Sequence, residues 1–136
     1  MTTELSAEII DRLVSTAIQA RGRAYAPYSG FSVGAAVMGE SENLYAGANV
    51  ENASYGLTVC AERVAVFNAV AHGERIIKAI AICSGTEHPA PPCGACLQVL
   101  AEFAPKSGSM AVILCTSQGE WAESKLSDYL PRPFSL

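Results

Sequence analysis

Five cysteines in a chain of 136 residues constrain the fold more than any other feature of the sequence. Five is an odd number, so the thiols cannot all pair, and the pattern is not typical of a small disulfide-stapled scaffold. The chain must instead build its own hydrophobic core. Hydrophobic residues make up 50% of it, and its length is that of one ordinary domain. We therefore expect a single domain over residues 1–136, with reduced thiols.

The charge of the chain narrows the range of its partners. Only 16% of the residues are charged, compared with roughly 25% in an average soluble domain. The formal net charge of −4 disfavours binding to nucleic acid or to an anionic membrane surface. The first residues lack a secretory signal pattern, and the apolar runs are too short for a membrane helix. We expect a cytoplasmic protein with no nucleic-acid and no membrane partner, part of whose surface is covered by other subunits.

Hydrophobic periodicity predicts helices that alternate with strands, which is typical of an α/β fold with one sheet. The two segments after the first helix are joined by a short turn and form a predicted hairpin. The expected elements are helices at 6–21, 60–71 and 93–103, strands at 31–38, 44–50, 76–83, 110–115 and 120–124, and a last short helix capped by Ser127.

Two short segments carry the residues that suggest chemistry. Cys60 and Glu62 lie in one of them, Cys93 and Cys96 in the other, and each segment lies where a loop enters a predicted helix. Helix N-termini stabilise thiolates, and cysteines three apart share one face of a helix. Three thiolates from two helix starts suit a tetrahedral Zn²⁺ with one open position, as in catalytic sites. Glu62 is near enough to take a proton from a water in that position.

These segments resemble the cytidine deaminase family, in its homotetrameric zinc-dependent branch with three cysteine ligands. The resemblance covers nearly the whole chain and implies a three-layer α/β/α sandwich around a mixed five-stranded sheet. It also implies zinc-dependent hydrolysis of cytidine and 2′-deoxycytidine to uridine and 2′-deoxyuridine plus ammonia, in pyrimidine salvage. The matching segments are Cys-Ala-Glu-Arg at 60–63, Pro-Cys-Gly-Ala-Cys at 92–96, and residues 24–29, 31–36, 49–55, 129–131 and 134.

The resemblance implies a role for each candidate residue. Cys60, Cys93 and Cys96 ligate one Zn²⁺ per subunit, and Glu62 shuttles protons between water and the pyrimidine. Arg63 donates to the thiolates. The nucleoside substrate is bound in active sites that subunits of the homotetramer share. The substrate-binding residues implied are Phe31, Asn49, Glu51, Ser54, Tyr55 and Phe134.

Two cysteines lie outside these segments, and two alternative functions stay open. Cys83 and Cys115 end apolar strands, and we expect them to be core thiols. A deaminase of another aminated ring, such as blasticidin S, is one alternative, although Asn49, Glu51 and Phe31 favour a plain nucleoside. A noncatalytic zinc-binding module is the other, and it would need a fourth protein ligand and no Glu62.

Leu97 departs from the resemblance, because the family commonly has a second arginine directly after the last cysteine ligand. Three thiolates leave a zinc site with a net charge of −1, which arginines offset. Our hypothesis is that Arg63 and the helix N-termini suffice here, with a less acidic water at the zinc. Leu97→Arg should then shift the acidic limb of the pH–rate profile to lower pH. An unchanged acidic limb and an unchanged rate would contradict the hypothesis.

Overall fold

Five strands form one sheet in a computed structural model that describes residues 5–85, 89–107 and 110–136. The strand order is β2-β1-β3-β4-β5, and β3 pairs with β4 in parallel while the other neighbours are antiparallel, so the sheet is mixed as expected. In chain order the elements are α1 (Ala7–Arg21), β1 (Gly34–Gly39), β2 (Leu44–Ala48), a 3₁₀ turn (Tyr55–Leu57), α2 (Ala61–Ala71), β3 (Ile77–Cys83), α3 (Gly94–Glu102), β4 (Ala111–Cys115), β5 (Trp121–Lys125) and α4 (Leu126–Tyr129).

The helix α1 covers one face of the sheet. Its N-cap is Ser6, as predicted, and the Ser6 hydroxyl accepts a hydrogen bond from the Ile9 N–H at 3.2 Å. Ile10, Leu13 and other apolar residues at helical spacing are buried on its inner side, where they join the core with Met38 of β1.

The helices α2 and α3 cover the opposite face. Side chains alternate along β1, so Val37 packs with the α2 and α3 residues while Met38 packs with α1. Every residue of β1 is buried, because helices lie on both faces. The expected three-layer α/β/α arrangement is confirmed.

Two sequence-based expectations concern the ends of the described chain. The prediction that Ser127 caps the last helix is wrong: α4 begins at Leu126, and Lys125 is its N-cap. The Lys125 N–H donates to the Asp128 carboxylate at 2.9 Å, so the acidic side chain does the capping.

The expectation about a secretory signal falls on residues 1–4, outside the described residues. Within them, no helix has the length and hydropathy of a membrane span.

Gly47 of β2 allows α2 to pack directly on the sheet. A Cβ atom at Gly47 would lie 2.3 Å from the Ala65 backbone N and 2.7 Å from the Ala61 carbonyl O. Backbone atoms cannot rotate away as a side chain can, so an alanine must push the helix outward. We expect Gly47→Ala to lower the free energy of unfolding by about 1–3 kcal/mol in denaturant titrations.

Gly56→Ala is the matched control for that substitution. A Cβ at Gly56 meets no heavy atom within 4 Å, so its effect should stay within about 0.5 kcal/mol. Equal losses for the two variants would show that close packing at Gly47 is not the cause.

Candidate active site

The loop between β2 and α2 is folded back so that it delivers Cys60 to the start of α2. Val50 and Val59 form a two-hydrogen-bond bridge, each bond 3.0 Å long. Tyr25 joins the other side of this bridge: its N–H donates to the Asn49 carbonyl at 2.9 Å, and its carbonyl accepts from Glu51 N–H at 2.8 Å. Three segments distant in sequence are therefore held side by side next to the first turn of α2.

Three cysteine sulfurs meet where α2 and α3 begin. Cys60 is the N-cap of α2, Cys93 is the N-cap of α3, and Cys96 lies in the first turn of α3. The Cys93 Sγ is 3.9 Å from the Cys60 Sγ and 3.4 Å from the Cys96 Sγ, and all three lie within 4.8 Å of one another. Zn–S bonds of about 2.3 Å in a tetrahedron place sulfurs about 3.8 Å apart. The donor set therefore fits zinc, with a fourth position left for water.

The guanidinium of Arg63 supplies positive charge to this cluster. Its Nη2 lies 3.5 Å from the Cys60 Sγ. Hydrogen bonding with the Cys96 thiol, helped by Arg63, lowers the pKa of Cys60 to about 5. The same interaction raises the pKa of Cys96. The buried Arg63 Nε has no hydrogen-bond partner among the described residues. The cluster thus places a sulfur whose ionisation is favoured beside a fixed positive charge.

Glu62 is a buried carboxyl group beside the sulfurs. Only 6% of its surface is exposed, and it lies in the first turn of α2, two residues after Cys60. Burial raises the pKa of Glu62, and the negative charge of Cys60 adds to the shift. A carboxyl whose pKa is brought closer to neutral can both accept and return a proton, as general acid–base catalysis requires.

Asn49 and Phe31 are brought together at the end of β2. The Asn49 Oδ1 accepts from the Val33 N–H at 2.9 Å, and the Asn49 Nδ2 donates to the Phe31 carbonyl at 2.8 Å. The Asn49 side chain therefore holds residues 31–33 in place, and these residues lie outside β1, which starts at Gly34 rather than at the predicted residue 31. The Phe31 ring remains 43% exposed.

The Glu51 carboxylate holds the turn at Tyr28 and Ser29, a contact that the sequence did not predict. It accepts from the backbone N–H groups of Tyr28 and Ser29 at 2.9 Å and 3.1 Å, and from the Ser29 hydroxyl. Hydrogen bonding by Ser29 lowers the pKa of Glu51, so the carboxylate is ionised. No spacing rule pairs residues 22 or 23 positions apart, so only the fold reveals these contacts.

The remaining predicted site residues lie at the surface. Tyr55 is 77% exposed in the 3₁₀ turn that follows Ser54, and its ring meets the Tyr28 ring edge-on at a centroid distance of 6.2 Å. Phe134 is 72% exposed, and its backbone is bonded to the side chain of Gln98 on α3. Sequence reasoning missed Gln98, because its partner is 36 residues away.

The other residues discussed from sequence are buried. Leu97 packs in the apolar core shared by the sheet, α2 and α3. Cys83 and Cys115 are paired positions on β3 and β4 with no exposed surface, which confirms that they are core thiols. A broad groove of about 960 Å³ lies elsewhere, between α1 and the β2 edge, and the cysteines do not line it.

Comparisons with known proteins agree with this geometry. The family described as the cytidine and deoxycytidylate deaminase zinc-binding region matches residues 7–112. The cytidine deaminase of Sporosarcina psychrophila is 46% identical over 126 residues, which are 93% of this chain and 91% of that protein. The cytidine deaminase of Halalkalibacterium halodurans is 50% identical over 123 residues, 90% of this chain and 92% of that protein.

Solved structures show the same likeness in three dimensions. The crystal structure of cytidine deaminase from Burkholderia pseudomallei superposes with a TM-score of 0.84 at 42% sequence identity. The match covers 96% of this chain and all of that chain. Cytidine deaminase from Mycobacterium tuberculosis gives a TM-score of 0.78 at 38% identity, over 93% of this chain and 97% of that chain.

The metal content of cysteine variants tests the proposed ligand set. Because Cys96 supplies one of the three sulfurs of the cluster, Cys96→Ala should reduce the zinc-to-chain ratio from close to one to nearly zero. Cys115→Ala removes an equally buried thiol that is no part of the cluster, so it should keep its zinc. Elemental analysis of dialysed protein measures both ratios. Full zinc occupancy in Cys96→Ala would contradict the assignment.

Proposed function

This chain belongs to the zinc-binding family of cytidine and deoxycytidylate deaminases, and we propose on that premise that it hydrolyses cytidine and 2′-deoxycytidine to the uridine nucleosides and ammonia. One observation carries the proposal: the buried carboxyl of Glu62 shares a helix start with Cys60, beside two further sulfurs. A structural zinc module would need four protein ligands and no buried carboxyl at this position. A three-ligand donor set next to a proton carrier is typical of hydrolytic catalysis.

The donor set and Glu62 divide the chemistry between them. When bound, zinc is a Lewis acid that lowers the pKa of a coordinated water to near neutrality. We propose that Cys60, Cys93 and Cys96 hold the metal, and that Arg63 keeps the Cys60 sulfur ionised. The second part of the chemistry is proton transfer by Glu62.

Glu62 is proposed to move the protons of the reaction. Its carboxylate accepts a proton from the water that adds to C4 of the pyrimidine, and it delivers a proton to N3. It then accepts the proton of the new C4 hydroxyl and passes it to the amino group at C4, so that the C4=O bond forms, the C4–N bond breaks and ammonia leaves. The balance is one water consumed and one ammonia released per nucleoside. The raised pKa of Glu62 suits a group that must hold a proton briefly and release it.

The polar groups beside the cluster are proposed to bind the sugar. Asn49 uses one amide hydrogen on Phe31 and keeps the other, and the Glu51 carboxylate has lone pairs beyond those used by Ser29. An amide donor and a carboxylate acceptor on neighbouring segments suit two sugar hydroxyls. This favours a nucleoside over a ring without a ribose. Phe31 supplies apolar surface at the same edge.

We further propose a cytoplasmic homotetramer that acts in pyrimidine salvage, with active sites shared between subunits. The support is physical: the charged fraction is low, and the rings of Tyr55 and Phe134 are mostly exposed in the single chain. A neighbouring subunit that packs over Ser54, Tyr55 and Phe134 would remove this apolar surface from water.

Glu62→Gln tests the proton-carrier role. The amide keeps the size of the side chain but cannot carry the proton, so kcat should fall by about 10²–10⁴-fold while the zinc content stays unchanged. An ultraviolet assay of cytidine-to-uridine conversion, with zinc measured in the same sample, gives both numbers. Turnover of blasticidin S, measured in the same way, tests the alternative that the chain deaminates another aminated ring.

Glu123→Gln is the matched control. Glu123 lies on the exposed edge strand β5, so this variant should keep full activity. Turnover of cytidine by Glu62→Gln at the normal rate would refute the role of Glu62. Turnover of blasticidin S but not of cytidine would refute the proposed substrate.

A further inference from the structure

The short segment directly before β1 lies outside the strands, so its backbone groups need partners other than a neighbouring strand. Asn49 supplies two of them, because its amide bonds to the Phe31 carbonyl and to the Val33 N–H. The Ser32 carbonyl lies between these groups in sequence, and it accepts a hydrogen bond from the Arg21 Nε at 3.0 Å. A cationic donor makes a stronger hydrogen bond than a neutral one. Arg21 therefore holds the middle of the segment, while Asn49 holds its two ends.

Close packing on the sheet fixes the backbone of Arg21. Arg21 is the last residue of α1, and Gly34 is the first residue of β1. A Cβ atom at Gly34 would lie 2.3 Å from the Arg21 backbone N and 2.8 Å from its Cα. The end of the helix and the start of the strand are therefore closer than any side chain at position 34 would allow. The half-buried side chain of Arg21 thus starts from a point that is fixed relative to β1.

The guanidinium of Arg21 also lies against Gly85, which follows the end of β3. A Cβ atom at Gly85 would lie 2.1 Å from the Arg21 Cζ and 2.3 Å from its Nε. The backbone φ of Gly85 is 73°, in the left-handed region that favours glycine. A side chain at position 85 would therefore occupy the place of the guanidinium. The Arg21 guanidinium is thus packed between Gly85 and the Ser32 carbonyl.

The sheet places these contacts at the end of the molecule where the candidate active site lies. Gly34 pairs with the last residue of β2 on one side and with the last residue of β3 on the other. From this end of the sheet, the chain leaves β2 towards Asn49 and leaves β3 towards the first turn of α3. Arg21 reaches the same end from α1, a helix that carries none of the predicted site residues.

The orientation of the Asn49 amide depends on the segment that Arg21 holds. The Asn49 Oδ1 faces the Val33 N–H, and its Nδ2 faces the Phe31 carbonyl. These two bonds decide where the second amide hydrogen of Asn49 points. If the segment moved, both bonds would be lost and the amide could turn. A donor on α1 can therefore control a polar group on the other side of the segment.

We propose that Arg21 is a positioning residue, whose guanidinium, packed between Gly85 and the Ser32 carbonyl, sets the direction of the Asn49 amide for an incoming nucleoside. The inference rests on the proposed function, since it needs a nucleoside that binds at Asn49. Arg21 acts through the segment before β1 and not on the reacting atoms. Its loss should weaken nucleoside binding and leave both the metal and the proton transfer by Glu62 as they are.

Arg21→Met removes the donor and the charge but keeps a long unbranched side chain. We expect KM for cytidine to rise about threefold to tenfold, as for the loss of roughly one hydrogen bond. The inhibition constant of the product uridine should rise by the same factor, because binding and not chemistry is affected. Steady-state assays and zinc analysis should show kcat and the zinc-to-chain ratio nearly unchanged.

Arg12→Met is the matched control for that variant. It makes the same change at an exposed position of α1, so both constants and the zinc content should stay as they are. An unchanged KM in Arg21→Met would overturn the proposal. A fall in kcat or in zinc content with KM unchanged would also overturn it, because Arg21 would then support the fold or the metal site in general.

Gly85→Ala disturbs the same guanidinium from its other neighbour. The added methyl group displaces the guanidinium, so KM should rise by a similar factor although Arg21 keeps its side chain. In an Arg21→Ala background there is no guanidinium to displace, and Gly85→Ala should add little to KM. Additive effects on KM would show that Gly85 does not act through Arg21, and they would contradict the proposed packing.

Hydrogen exchange reports on the segment without any enzyme assay. The Val33 N–H is bonded to the Asn49 Oδ1, so it should exchange several times faster in Arg21→Met than in the unaltered chain or Arg12→Met. The backbone amides of α2 should exchange equally in all three. Equal exchange at Val33 would refute the positioning role. If the unaltered chain bound zinc but turned over no cytidine, the proposed function would fail, while the exchange rates would still show whether Arg21 holds the segment.

Discussion

The close packing of α2 on the sheet is the interaction on which the rest of the structure depends. Alanines face inward along α2, at positions such as Ala61 and Ala65, and Gly47 on β2 leaves room for its backbone. Because the residues on both sides are small, α2 packs close to β2. The first residue of α2 directly follows Cys60. A shift of α2 of a few tenths of an ångström would move the Cys60 sulfur relative to the two sulfurs on α3. The metal site therefore depends on the absence of a side chain at Gly47, a residue that is not itself a ligand.

Electrostatics explains why the cluster needs α2 and α3 to begin side by side. Thiolates gathered within 4.8 Å of one another repel, and Glu62 adds another acidic group nearby. Two helix N-termini and Arg63 supply the opposing positive charge, and hydrogen bonding between Cys60 and Cys96 lowers the pKa of Cys60 and raises that of Cys96. A divalent ion that displaces the remaining protons completes this balance. Burial has the opposite effect on Glu62, because it raises the pKa of the carboxyl group. Glu62 therefore retains its affinity for protons, whereas thiols that bind a metal must lose theirs.

The sequence predicted the five strands and the three longer helices to within three residues, because apolar runs and local cap and turn signals mark most of them. It also placed three cysteines at two helix starts, since turn and helix signals are local. Contacts of Asn49 with residue 33, of Glu51 with Ser29 and of Gln98 with Phe134 span 16, 22 and 36 residues. Such contacts follow from how the loops fold over the sheet edge, and no local pattern encodes them. Ser127 shows that a local signal can also mislead. Serine is a common N-cap residue, but α4 begins one residue earlier and the Asp128 carboxylate caps it.

The two sides of α3 contact different parts of the molecule. Its first turn presents Cys93 and Cys96 to the metal of its own chain, and its outer side presents Gln98 to the tail. Since α3 is a rigid helix of 9 residues, the two cysteines at its start and the tail bonded to Gln98 are positioned together.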